Sequence, residues 1–194
     1  MARVLTDEEG ALERPKLLEL QTTIREFCQA HPTAKYVRDP DLIAAAKAGP
    51  DDSSPTSCSY VRGYLRELDQ QLSPGCVVGY GLRALGVPDE VLAGFDPVFG
   101  PNGSVHAQAA DGATARALFK RDWADTHAKE YDEPNNDIWE WLSTLQCWQD
   151  NGETLGEALG AAERSADDAT RMAERVRAMK QRHAELARSM TDHE

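Results

Sequence analysis

From Leu155 to Met190 the apolar side chains of this chain keep step with one another. Leu155, Leu159, Ala162, Ala166, Ala169, Ala173 and Val176 are followed by Met179, His183, Leu186 and Met190, at spacings of three and four. A seam of about five heptads demands one long helix, and such a helix needs something to lie against. The first half of the seam is built largely from alanine, which predicts close packing on the body of the protein. The second half is flanked by Arg171, Arg175, Arg177 and Arg182, which points to a solvated or intermolecular face. The chain therefore divides into a compact helical domain over residues 1–166 and a C-terminal extension of the last helix over 167–194. That extension suits oligomerisation or the binding of a partner protein.

Helical periodicity continues upstream. The stretch "RPKLLELQTTIREFCQA" places Leu17, Leu20, Gln21, Ile24, Phe27 and Cys28 on one broad face, with Pro15 in the first turn. A short helix is expected in "DPDLIAAAKAGP", opened by Asp39 or Asp41, before the surface loop at 49–57. "CSYVRGYLRELDQQL" reads as a further amphipathic helix with Val61, Tyr64, Leu65, Leu68 and Leu72 inward. In "SPGCVVGYGLRALGV", Gly79 and Gly81 would let a neighbouring helix approach closely. Residues 94–112 are rich in Gly, Pro and Asn and lack a period, although a short strand fits 104–108. Helices resume with "ATARALFKRDWADTHAKEY" and "NDIWEWLSTLQCWQD". Asp150, Asn151 and Gly152 then form a helix-to-helix lock before Thr154 or Glu153 opens the last helix. The fold class is all-α: a compact multi-helix domain with a long C-terminal helix of heptad-like pattern.

With 41% apolar residues the chain fills a core without a staple, and its four cysteines show neither CxxC nor zinc spacing. The first residues lack the apolar run of a signal peptide, and no stretch approaches the ~18 apolar residues of a spanning helix. A cytoplasmic protein with reduced thiols is expected, with no membrane role. The net charge of −12 argues against direct nucleic-acid binding. The acidity is concentrated: residues 112–153 carry nine acids against four bases, whereas 154–194 carry eight against seven.

Three groups of residues are candidates for chemistry or binding. On a helix over 137–149, Ile138, Trp141, Leu142, Leu145 and Trp148 share a stripe and read as core. Trp139 lies off that stripe, so it meets a second layer or stands exposed as a binding hot spot. Asp122, Asp125, Glu130 and Glu140 form the acidic face beside it. Cys76 follows "SPG" in the first turn of a helix, where free N–H groups favour a thiolate, and His106 in the 94–112 loop is the base available to it. No metal site and no cofactor is expected: the carboxylates around His127 fall on different faces, and "GYGLRALG" lacks the remainder of a dinucleotide fingerprint.

"CVVGYGLRALGV" (76–87) and "WQDNGETLGEALGAAERSA" (148–166) together resemble a family of small uncharacterised proteins of actinobacteria and their phages. Its members pair a Cys-x-x-Gly helix start with a Trp-x-Asn-Asp turn that opens a helix at Thr. Here Tyr80-Gly81 stand where Ala-Leu is the pattern, and Asp150-Asn151 are in reversed order. The resemblance implies a phage-related helical domain with this turn as a structural lock, and it carries no activity.

Three functions follow as expectations. The first is an acidic interaction or regulatory module acting through its acidic face and C-terminal helix, on a protein partner or a second copy. Another is an enzyme or ligand-binding protein using Cys76 and His106 beneath the 94–112 loop. The third is a nucleic-acid mimic built on the acids of 122–140.

Overall fold

The computed structural model describes residues 7–47, 59–66, 75–96, 98–99, 105–106, 110–121 and 134–191. In chain order the elements are α1 (Asp7–Ala30), β1 (Lys35–Val37), α2 (Pro40–Lys47), β2 (Tyr64–Arg66), α3 (Val77–Ala84), α4 (Asp89–Ala93), β3 (Val98–Phe99), β4 (Val105–His106), α5 (Ala110–Phe119), α6 (Asn136–Asp150) and α7 (Leu155–Thr191). The class is all-α. Its strands form two small antiparallel ribbons, one with Tyr36 opposite Leu65 and one with Val98 opposite His106. Among the described residues no helix is long and apolar enough to cross a membrane.

The core sits where α1, α3 and the α6–α7 hairpin converge. Leu17, Leu20 and Ile24 of α1 meet Val78 and Leu82 of α3, Trp141, Leu142 and Leu145 of α6, and Leu155, Ala158 and Ala162 of α7. Burying each of the large side chains stabilises the fold by about 1.5–3 kcal/mol relative to leaving it in water. Helix α1 starts at Asp7, eight residues earlier than its proline suggests, so Pro15 lies inside it. A proline there leaves the carbonyl of Ala11 without its helical partner. Ala11 is exposed, so water reaches that carbonyl and the helix tolerates it.

Residues 59–66 depart from the expected helix. Their backbone groups are claimed from outside the segment: Tyr36 Oη accepts from Ser59 N at 2.9 Å, and Asp96 Oδ1 accepts from Tyr60 N at 2.6 Å. Ser59 Oγ donates to Asp96 Oδ2 at 2.6 Å, while Ser59 O accepts from Cys76 N at 2.9 Å. Gly63, at φ +76°, turns the chain so that Tyr64–Arg66 pairs with β1. Of the residues read as one inward helical face, Leu65 is buried, Val61 is half-buried and Tyr64 is exposed, while Leu68 and Leu72 lie outside the described residues. Helix α5 also ends before its expected limit, at Phe119, because Lys120 takes a left-handed backbone at φ 53°. Arg121 then pairs with the buried Glu13 of α1 at 2.6 Å.

Close approach explains the glycines of α3. A Cβ at Gly81 would lie 2.5 Å from Ile24 Cγ1 and 2.9 Å from Leu20 Cδ1 of α1. One at Gly79 would run into the backbone carbonyl of Tyr60. The carbonyls at the end of α3 are closed by Gly86 at φ +84°, with Val87 N donating to Leu82 O.

Candidate functional site

Helix α6 is fixed at both ends, and through it α7 is aimed. At its start, Arg14 of α1 donates to Asn135 Oδ1 at 3.2 Å and to both carboxylate oxygens of Asp137, at 3.0 and 2.8 Å. The hydrogen bond to Asp137 holds the Arg14 guanidinium above its ordinary pKa. One turn on, Trp141 Nε1 donates to Glu163 Oε1 of α7 at 3.0 Å, and Arg25 of α1 donates to the same oxygen at 2.8 Å. The guanidinium also sits 5.7 Å from the centre of the Trp141 ring, within cation–π range. Burial alone would raise the Glu163 carboxyl; the hydrogen bonds from Arg25 and Trp141 outweigh it and hold the group below its ordinary value. One carboxylate thus ties α1, α6 and α7 together.

The α6–α7 connection is a lock made by the backbone. Gly152 adopts φ +84°, its N–H donates to Gln149 O, and Glu153 N donates to Trp148 O, closing α6 with a Schellman arrangement. Thr154 then opens α7 with a capping box: Thr154 N donates to Glu157 Oε2 at 3.0 Å, and Glu157 N donates to Thr154 Oγ1 at 3.3 Å. Ala34 O and Pro32 O accept from Leu155 N and Gly156 N, so the first orphan donors of α7 are also satisfied.

Beside this lock lies a cleft of about 360 Å³, lined by Lys35, Arg38, Ile43, Arg66 and Asn151 among others. Lys35 Nζ donates to Gly152 O at 3.0 Å, and Arg38 donates to Asp150 O. Arg38 therefore sits on the last carbonyl of α6 and Lys35 on a carbonyl of the turn that follows it, at the negative end of the helix dipole. That role accounts for them as structural caps.

Trp148 departs from the core place expected of it, and Trp139 takes the buried of the two places open to it. Trp139 is 2% exposed and belongs to the core, whereas Trp148 is 39% exposed. The buried face of α6 is rotated because two glutamines lie inside it: Gln149 Oε1 accepts from Val77 N at 2.8 Å, and Gln146 Oε1 accepts from Tyr60 Oη at 3.4 Å. Trp139 therefore presents no free binding surface. Glu140 is exposed on the opposite side of α6. Asp122, Asp125 and Glu130 lie outside the described residues, as do Trp123, His127 and Cys58.

Cys76 is fully buried, and its Sγ accepts from Gly79 N at 3.4 Å, so it serves as the N-cap of α3. Helix-start position brings it a backbone N–H as expected, but packing closes it from solvent. His106 pairs with Val98 in the β3–β4 ribbon, and its side chain lies outside what is described. The exposed thiol is Cys147, on the outer face of α6. Among the described residues no group of three or more His, Cys, Asp and Glu side chains is placed to hold a metal.

The surface that stands out is the far end of α7. Body contact continues to Ala173, which is 7% exposed, so the extension starts several residues beyond the expected boundary at 166. From there the helix runs on for about five turns to Thr191. Met172 is 39% exposed, Met179 52% and Leu186 62%, and each lies one heptad beyond the last. Residues 171–188 carry six bases, Arg171, Arg175, Arg177, Lys180, Arg182 and Arg188, against Glu174 and Glu185, a net of +4 in a chain of −12. Averaging over all of 154–194 conceals this segment, because four acids precede it at 157–168. No family model, curated protein or solved structure matches the chain.

Proposed function

We propose that this chain is a protein-interaction module whose working surface is the projecting end of α7. The observation that carries this reading is the continuation of α7 past its last buried residue with Met179 and Leu186 more than half exposed. Large apolar side chains held in heptad step in water cost solubility and contribute nothing to the body's core. They are accounted for when a second surface covers them. The acidic composition of 112–153 remains part of the proposal as an aid to solubility, with Glu140 exposed on α6. The setting proposed is cytoplasmic, supported by three free thiols among the described residues, one of them exposed.

The test compares the full chain with a version ending at Ala173, each used as bait against extracts of the source cells and each sized by chromatography with light scattering. Association that is present in the full chain and lost on truncation is expected. If both versions remain monomers and capture nothing, the reading is wrong.

A further inference from the structure

The flanks of the projecting segment narrow what it can meet; this step rests on that segment being the working surface. With Met172, Met179 and Leu186 at the d positions of a heptad and Val176 and His183 at a, Arg175 and Arg182 fall at g and Lys180 at e. All three cations are exposed. Arg175 and Arg182 have no carboxylate partner among the described residues. The two acids of the segment, Glu174 and Glu185, occupy f and c, away from the seam. The apolar stripe is therefore bordered by positive charge on both sides.

The helix dipole does not account for this. Its pull on cations fades within the last turn, whereas Arg175, Lys180 and Arg182 lie between about two and four turns before Thr191. Arg182 also stands clear of the described body. It lies nine residues beyond Ala173, about 13.5 Å along the axis at 1.5 Å per residue, farther than the ~8 Å over which charge is felt at physiological salt.

A second copy of this helix supplies the wrong charges. In a parallel pair, Arg175 of one copy faces Lys180 of the other; in an antiparallel pair, arginine faces arginine and lysine faces lysine. The seam from Met172 to Leu186 spans about two heptads, short of the three to four that mark a self-pairing coiled coil. A lipid surface fits poorly as well, because the stripe is narrow and holds no Trp or Phe to anchor it at an interface. We infer that the projecting end of α7 docks in an apolar groove on a different protein, rimmed by carboxylates that face Arg175, Lys180 and Arg182.

Two synthetic helical peptides serve as probes, each with Ile at a and Leu at d; one carries Glu at every e and g, the other Lys. Binding to the full-length chain is measured by fluorescence anisotropy at low and physiological salt, beside sedimentation with phosphatidylserine vesicles. The acidic peptide should bind, weakening at least tenfold between the two salt concentrations, and the basic peptide should not. In the Arg175→Glu, Arg182→Glu chain the preference should reverse, with an unchanged melting temperature because both residues are exposed. Equal binding of the two peptides, or binding to vesicles in preference to the acidic peptide, overturns the inference. Self-association that disappears on truncation at Ala173, without binding of the acidic peptide, leaves α7 as an interaction surface and removes the carboxylate-rimmed partner. Monomers that bind neither peptide and capture no protein remove both.

Discussion

Removing residues 174–194 should leave the body of the protein intact, and the structure sets how intact. Beyond Ala173 no side chain of α7 is buried among the described residues; Val176 and Ala178 are only partly covered. Partial burial of one valine is worth about 1 kcal/mol at most, taking half of the value for full burial. The helical turns beyond it add little, since an isolated helix of this length is marginal in water. The loss should therefore stay below about 1 kcal/mol, a fall of about 2–4 °C in melting temperature for a domain of this size. Leu155→Ala, by contrast, empties a fully buried site at the start of the same helix and should cost about 2–5 kcal/mol. Urea unfolding followed by tryptophan fluorescence measures both, and the truncated chain should keep nearly the same dependence on urea because little buried surface is removed. A loss above about 2 kcal/mol on truncation would mean that residues 174–191 pack on the body. A full chain whose stability rises with its own concentration would mean that it pairs with itself.

The glycines of α3 separate packing from propensity: Gly→Ala in a helix gains about 1 kcal/mol, yet overpacking costs about 1–3 kcal/mol. Gly79→Ala, which meets a fixed backbone carbonyl, should destabilise by about 2 kcal/mol net and by more than Gly81→Ala, which meets side-chain methyls; urea midpoints at or above that of the parent contradict this. Under native labelling with peptide mapping, Cys147 should react before Cys28 and Cys76. Cys28 is buried, with its thiol pushed up to about 12, and faster reaction at Cys76 would revive its catalytic reading. Glu163 is held below its ordinary 4.5, so its contribution to stability is present above that pH and is lost as pH falls through the lower folded value. Glu163→Gln should then cost under about 1 kcal/mol at pH 7, because its side chain is 43% exposed. That deficit should shrink as the pH falls through the lowered folded value, and a deficit constant with pH refutes the assignment.

Elements that close on themselves were legible in the sequence. The Asn151-Gly152 turn, the Thr154 start and the close approach at Gly79 and Gly81 all follow from backbone conformation and residue size, which are local properties. Those that depend on distant chain were not. Nothing within "CSYVRGYLRELDQQL" announces that Tyr36 and Asp96 will take the hydrogen bonds of Ser59 and Tyr60, so apolar spacing there mimicked a helix. Likewise Gln146 and Gln149 look like a polar face until their partners on Tyr60 and Val77 are seen. Once they are counted as buried, the inward arc of α6 turns towards Trp139 and away from Trp148. The same limit applies to Lys35 and Arg38 of one segment and Arg66 of another, which line one cleft only in the fold.

Helix α7 itself shows how one element serves two environments. Its first half anchors through Leu155 and then packs through Ala158, Ala162, Ala169 and Ala173, small side chains that let it lie close to its neighbours. If the rest of the helix existed only to remain in water, mixed charges on every face would be enough. Instead the seam persists past the last contact, and the side chains along it change from alanine to methionine and leucine. Alanine suits a neighbour already near; longer, flexible side chains reach one that is not. The change in residue size occurs at Ala173, the same point at which the flanks turn from acidic to basic. Two independent sequence properties switch where burial ends, as the proposed reading requires: a helix that packs on the body along one length and would meet a separate protein along the other.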